Sequence, residues 1–260
     1  MANLDVNGSK VEFRQSGKGP DLLLLHSLLT ELTVFDRIAP VLAGKRRVTC
    51  INLPGFGASS PLALDSVGDY ADHVAKTMDA LALPADAAVF GNGFGAFVAL
   101  ELAIRHGGRF GRLIVADTLA AFPEAARVPF RGMAQKVRAG GIPAVLDTAI
   151  GRMFPPAFAA AHPEVVAARK TALSSADPEC FARACLALAE LDLRPRLSGI
   201  RNPALVMCGA LDQTTPPALA RELAGGIAGA QYQELPGCGH CPQIEQPGQF
   251  VAALRGFLLA

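Results

Sequence analysis

The 260-residue chain lacks four things that would point away from an ordinary globular enzyme. It has no long apolar run: the longest, around Leu22 to Leu25, is far short of the roughly 20 residues that span a bilayer. It has no basic or apolar leader, its N-terminus reading Met-Ala-Asn-Leu-Asp, so a cytoplasmic location is the expectation. It has no charge excess. A formal net charge of +1 gives no electrostatic reason to expect nucleic acid or a membrane as partner. It also has too few cysteines for a disulfide scaffold, with six in the whole chain, Cys50 and Cys208 at the ends of apolar runs. Cys238-Gly-His-Cys241 has redox-motif spacing, but barely twenty residues follow it, too few to complete a thioredoxin-like unit, so neither a redox nor a zinc role is expected. At 51% hydrophobic residues the chain can bury a sizeable core.

Short apolar runs alternate with amphipathic stretches, the pattern of strands connected through helices into a mostly parallel sheet. Strands are predicted at Val11 to Gln15, Asp21 to His26, Arg47 to Asn52, Ala87 to Phe90, Arg112 to Asp117, Ala204 to Cys208 and Gln231 to Leu235. Helices are predicted at Leu32 to Leu42, Ser66 to Leu83 with a serine cap, Phe94 to His106 stopped by Gly107-Gly108, Pro217 to Ile227, and from about Pro247. From 118 to 197 the periodicity is helical only, broken by Pro129, Gly140-Gly141, Pro155-Pro156, Pro163 and Pro178. The expected organisation is an α/β core from 1–117 and 198–260 with a helical lid, 118–197, over the carboxyl ends of the strands, where such sheets bind ligands.

Gly91-Asn92-Gly93-Phe94-Gly95 joins a buried strand directly to a helix. This is the frame of a nucleophile elbow, G-x-S-x-G, with glycine at the serine position. The alternative, a phosphate loop, needs a G-x-G-x-x-G spacing that is absent. An acid and a histidine follow in the order such sites require. Asp212, after the strand ending at Cys208, is placed to accept a hydrogen bond from a histidine, although a capping role before Pro216-Pro217 would explain it too. His240 lies on the loop after the last strand. Asp117, at another strand end, is a second candidate for the acid. His73 and His106 are assigned to surface helix faces, and His162 sits beside a lid proline. The loop His26-Ser27-Leu28-Leu29 follows the strand expected to provide one oxyanion donor, the Leu28 amide, with Phe94 after the elbow providing the other. Asn52 to Ser59 reads as a structural turn-rich loop.

Taken end to end, the chain resembles the α/β-hydrolase superfamily. His26-Ser27 is similar to its oxyanion-loop His-Gly, Pro54 to Ser59 to its G-x-G-x-S turn, and Gly237 to Pro247 to its G-x-G-H…E-x-P block. Arg152 to Pro163 and Cys185 to Arg194 look most like 3-oxoadipate enol-lactonases, while Gly91-Asn92 is also similar to hydrolases that cleave carbon–carbon bonds in ring-fission products. The resemblance implies a hydrolase of small carboxylate-bearing esters or enol-lactones of aromatic catabolism, without metal or organic cofactor. It makes His26, Ser27 and a lid cation (Arg127, Arg131, Arg138 or Arg152) the substrate-side residues, of which Arg131 is the first choice; a solvated basic face is the alternative. Gly93 is the departure. It admits three readings: an introduced serine-to-glycine change in an ordinary esterase or lactonase, a binding protein without turnover, or a lyase or oxygenase in which His240 and Asp212 work as a base with no covalent intermediate.

Overall fold

In the computed structural model, residues 1–259 are described and form one eight-stranded sheet flanked by helices. The strands are β1 (Ala2–Val6), β2 (Ser9–Ser16), β3 (Asp21–Leu25), β4 (Arg47–Ile51), β5 (Ala88–Asn92), β6 (Arg112–Ala116), β7 (Ala204–Gly209) and β8 (Gln231–Leu235). The helices are α1 (Ala39–Ala43), α2 (Val67–Ala80), α3 (Phe94–His106), α4 (Glu124–Gly140), α5 (Leu146–Ile150), α6 (Pro156–Ala161), α7 (Pro163–Ser174), α8 (Pro178–Glu190), α9 (Pro217–Gly226), α10 (Pro242–Glu245) and α11 (Pro247–Leu259).

The strand order is β1-β2-β4-β3-β5-β6-β7-β8. From β4 to β8 all neighbours run parallel, and β1 and β2 pair antiparallel at one edge. Burial follows position. Every residue of β3, β5 and β7 is buried, as strands covered on both faces require, whereas the edge strands β1 and β8 are largely open to solvent and buried completely only at their last residues. Asp21 is tolerated at the start of β3 because Arg47 on β4 grips both its oxygens, at 2.6 and 2.8 Å. Helix α2 starts on the expected serine, with a full capping box between Ser66 and Asp69. No helix of the described residues is long and apolar enough to cross a membrane.

Three elements differ from expectation. The helix predicted from Leu32 to Leu42 is a single 3-10 turn (Leu32–Phe35) followed by α1, because a continuous helix would need an N–H that Pro40 does not have. β1 is an extra strand. Asn7 and Gly8, both at positive φ (55° and 82°), close a two-residue hairpin onto β2 and bury only Val6 of the strand completely. His73 is buried in α2, not on a surface face, and its ring Nε2 has no hydrogen-bond partner.

Between β6 and β7 the chain is helical throughout, apart from one bridge between Ala121 and Asp192. Its contacts show where it sits. Asp177 N–H donates to the Gly55 carbonyl, Arg169 reaches Glu31 and Thr33, and His240 N–H donates to the Met153 carbonyl at 3.1 Å. The loops touched follow β3, β4 and β8, so these helices cover the carboxyl edge of the parallel strands.

Candidate active site

The turn from β5 into α3 requires its glycines. A Cβ on Gly91 would lie 2.2 Å from the Gly95 carbonyl oxygen, and one on Gly95 would lie 2.3 Å from the Leu25 carbonyl oxygen. Gly93 between them has φ 52° and ψ −115°, a left-handed backbone that a side chain strains. Its N–H bonds the Ala116 carbonyl at 3.0 Å, which fixes the turn to β6. The elbow geometry is complete without its serine.

His240 arrives from the loop after β8 with its ring at this turn. Nε2 is 3.1 Å from the point where a Cβ on residue 93 would stand. Nδ1 lies 2.8 Å from Asp212 Oδ2, and His240 and Asp212 are both buried. Asp212 is held as a carboxylate by its other partners. Its Oδ1 accepts from the Thr214 and Thr215 amides at 2.8 and 3.1 Å, and Oδ2 accepts from Thr215 Oγ1 at 2.6 Å. Burial alone would raise the Asp212 carboxyl, but the attraction and hydrogen bond of His240 keep it below its ordinary value. Burial likewise pulls the His240 imidazole down; the Asp212 charge and hydrogen bond outweigh it and push it up to about 9.

Asp117, the second candidate acid, is not brought to His240. Its Oδ1 accepts from Gly209 N–H at 2.9 Å and its Oδ2 from Asn92 Nδ2 at 2.9 Å. Full burial, and then the neighbouring Asp212 charge, raise its carboxyl well above the ordinary range. One oxygen or sulfur each from Asp117, Cys208 and Asp212 lie within 4.8 Å of one another. They do not suit a cation: both oxygens of Asp117 and both of Asp212 already accept hydrogen bonds, and the Cys208 thiol donates to the Gly209 and Thr215 carbonyls.

The loop after β3 lies against the elbow, with Gly95 N–H donating to the His26 carbonyl at 3.0 Å. Among the described residues neither the Leu28 amide nor the Phe94 amide has a protein acceptor. Phe94 opens α3, so its N–H also carries the positive end of that helix dipole. The Phe94 amide follows Gly93 in the chain, and the Leu28 amide follows Ser27, whose side chain stands at the Gly93 position.

Two of the residues expected on the substrate side are used elsewhere. His26 is fully buried; its Nδ1 donates to the Ser27 carbonyl at 2.8 Å and its Nε2 accepts from Leu53 N–H at 3.0 Å. Burial lowers its pKa to about 4, which fits a neutral ring bracing two loops and not one that meets substrate. Arg131, half-buried on α4, is committed to Glu124 and Glu190 at 2.9 and 2.8 Å. Arg127 and Arg138 are committed to Phe122 and Glu179 respectively, and Arg152 is exposed. Ser27, by contrast, is at the site: its Oγ is 2.3 Å from the Cβ point of residue 93. Cys238 and Cys241 are fully buried free thiols, the first pushed up to about 12 by burial.

Thr215 is a site residue that the sequence reading misses, although Asp-x-x-Thr after a strand is the pattern of a turn closed by the aspartate side chain. Asn92 joins three strands' worth of the site, donating to Asp117, to the His240 carbonyl at 3.2 Å and accepting from Gln243 Nε2 at 3.0 Å. Glu245 accepts from the amides of Gly239 and Cys241, clasping His240 from both sides at 2.7 and 3.0 Å.

Comparison with known proteins settles the family. The model of the alpha/beta hydrolase family matches residues 22–254. The chain is an alpha/beta hydrolase. A 3-oxoadipate enol-lactonase 2 from Acinetobacter baylyi is 33% identical to it over 258 residues, covering 98% of this chain and 94% of the relative. A pimeloyl-[acyl-carrier protein] methyl ester esterase from Aeromonas hydrophila is 32% identical over 259 residues, 95% of this chain and 99% of the relative. Among solved structures, the enol-lactonase from Burkholderia xenovorans LB400 superposes with a TM-score of 0.92 at 31% identity, each chain fully covered. A thermophilic esterase from Thermogutta terrifontis superposes at 0.91 with 28% identity, covering 99% of this chain and 97% of the esterase. Within this alpha/beta hydrolase the elbow turn, Asp212 and His240 meet at one sheet edge.

Proposed function

We propose that this alpha/beta hydrolase cleaves small carboxylic esters or enol-lactones, with His240 as general base, Asp212 as its orienting partner and the Leu28 and Phe94 amides as oxyanion hole. The observation that carries the reading is the Asp212–His240 hydrogen bond of 2.8 Å, with the far ring nitrogen 3.1 Å from the Cβ position of residue 93 in the elbow turn. A histidine held by a carboxylate presents its lone pair at Nε2 and tolerates the positive charge it gains on taking a proton. The amides then stabilise the oxygen of the carbonyl under attack. The enol-lactonases and methyl ester esterases that match the whole chain support ester and lactone substrates; within these, carboxylate-bearing lactones of aromatic catabolism are the class proposed. The helices 118–197 are the lid that sets which of these enters.

The test is a panel of short-chain p-nitrophenyl esters and an enol-lactone, assayed with the chain and with Asp212→Asn. Hydrolysis that falls by orders of magnitude in Asp212→Asn supports the reading. Equal rates for both, or no turnover of either substrate class, would reject it.

A further inference from the structure

His240 needs a hydroxyl to deprotonate, and the elbow has none. We infer that Ser27 supplies the nucleophile: its Oγ occupies the space that a residue-93 side chain would fill, the same space that the ring nitrogen of His240 borders. This inference rests on the hydrolase reading above. An ideal Cβ on Gly93 would stand 2.3 Å from Ser27 Oγ, 3.0 Å from Ser27 Cβ and 3.1 Å from His240 Nε2. The Ser27 side chain and a side chain at 93 thus compete for one volume beside the base, and Gly93 leaves it to Ser27.

Three further observations agree. Ser27 is 3% exposed, yet among the described residues its Oγ makes no hydrogen bond, while its backbone carbonyl is fully engaged by Thr30 and His26. The loop is therefore fixed and the hydroxyl is free. His240 Nε2 also has no protein partner, so base and hydroxyl face the same space. Finally, an elbow nucleophile is followed in sequence by a residue whose amide serves the oxyanion hole. Ser27 is followed by Leu28, whose amide is unclaimed, just as Gly93 is followed by Phe94. The approach of Oγ to Nε2 that the reaction needs is the kind of tightening that substrate induces in an open site.

The reaction balances without any added reagent. Ser27 Oγ adds to the ester or lactone carbonyl carbon as its proton passes to His240 Nε2. The carbonyl oxygen becomes the oxyanion held by the Leu28 and Phe94 amides. Collapse breaks the bond to the leaving oxygen, which takes the proton from His240 and departs, leaving an acyl ester on Ser27. Water then adds to that ester, giving its proton to His240, and the proton returns to Ser27 Oγ as the acid leaves.

The experiment combines a fluorophosphonate label, mapped by peptide mass, with p-nitrophenyl acetate kinetics on the full chain, Ser27→Ala, His240→Ala and the double variant Ser27→Ala/Gly93→Ser. The expected result is a label on Ser27 and a burst of nitrophenol from the unsubstituted chain. Ser27→Ala should lose the label and at least about 100-fold in kcat, with little change in KM or melting temperature. The double variant should carry the label at position 93 and recover turnover. The inference is overturned if Ser27→Ala keeps its rate within about twofold while His240→Ala loses it; water is then the nucleophile and the base reading stands. If only the double variant turns over, both the Ser27 role and the hydrolase reading of the chain with Gly93 fail.

Discussion

Replacing Gly93 by serine perturbs the site in two separable ways. The new side chain must adopt φ 52°, ψ −115°, where a residue with a Cβ carries strain of about 1–3 kcal/mol. It must also displace Ser27 Oγ, which stands 2.3 Å from the new Cβ. That oxygen ends a rotatable side chain, so it moves aside at an off-rotamer cost of about 1 kcal/mol. The total, about 2–4 kcal/mol, corresponds to a drop in melting temperature of roughly 4–15 °C for a chain of this size. The assay is thermal and denaturant unfolding of a double-mutant cycle: Gly93→Ser, Ser27→Ala and the pair together. Because the two side chains share one space, the pair should be more stable than Gly93→Ser alone by about 1 kcal/mol, leaving only the backbone strain. Additive effects, or a Gly93→Ser as stable as the parent, would refute the claim that Ser27 and residue 93 compete.

The pH dependence follows from His240. As a base it must be unprotonated, so kcat/KM should climb with pH and level off above about 9, where the Asp212-supported ring has lost its proton. Asp212→Asn should shift that rise to lower pH and cost on the order of 10⁴ in kcat, the size seen when a triad carboxylate is neutralised. The same ring has a raised pKa in the folded state, so its stabilising contribution is whole below about pH 6.5 and fades as pH climbs through about 9; denaturant titrations at pH 6 and 9.5 should show the loss, and His240→Ala should flatten it. Glu245→Ala removes the acceptor of two buried amides, Gly239 and Cys241, and should destabilise by about 2–4 kcal/mol while slowing kcat, as read by denaturation and ester hydrolysis. All six thiols are buried, so a colourless disulfide reagent that reports thiolate should react slowly with the native chain and quickly after unfolding; rapid reaction at Cys238 or Cys241 would revive the redox reading.

Much of this site is legible along the chain because its parts are local. Three glycines at alternate positions mark a strand-to-helix turn too crowded for side chains, and the order elbow, acid, histidine reports the topology of the sheet. Less legible are features that depend on what meets what across the fold. Nothing in His26 itself says that both ring nitrogens will be consumed by the Ser27 and Leu53 backbones, because Leu53 is brought near only by the pairing of β3 with β4. Arg131 reads as a lid cation, but helix α4 lies against α8 and brings Glu190 to it. The choice of Asp212 over Asp117 likewise turns on tertiary contacts: both end strands, yet Asp117 is consumed by Gly209 and Asn92. Ser27 is visible as a site residue from its loop. That its hydroxyl lies in the space vacated at 93 emerges only when the two loops are seen together.

The most direct measurement is the rate of hydrolysis of an activated ester such as p-nitrophenyl acetate at pH 9 by the chain and by His240→Ala. A positioned base contributes about 10²–10⁴ in rate, so His240→Ala should lose at least about 100-fold while remaining folded. Equal rates for the two proteins would contradict the assignment of His240, and with it the reading of this sheet edge as the hydrolytic site.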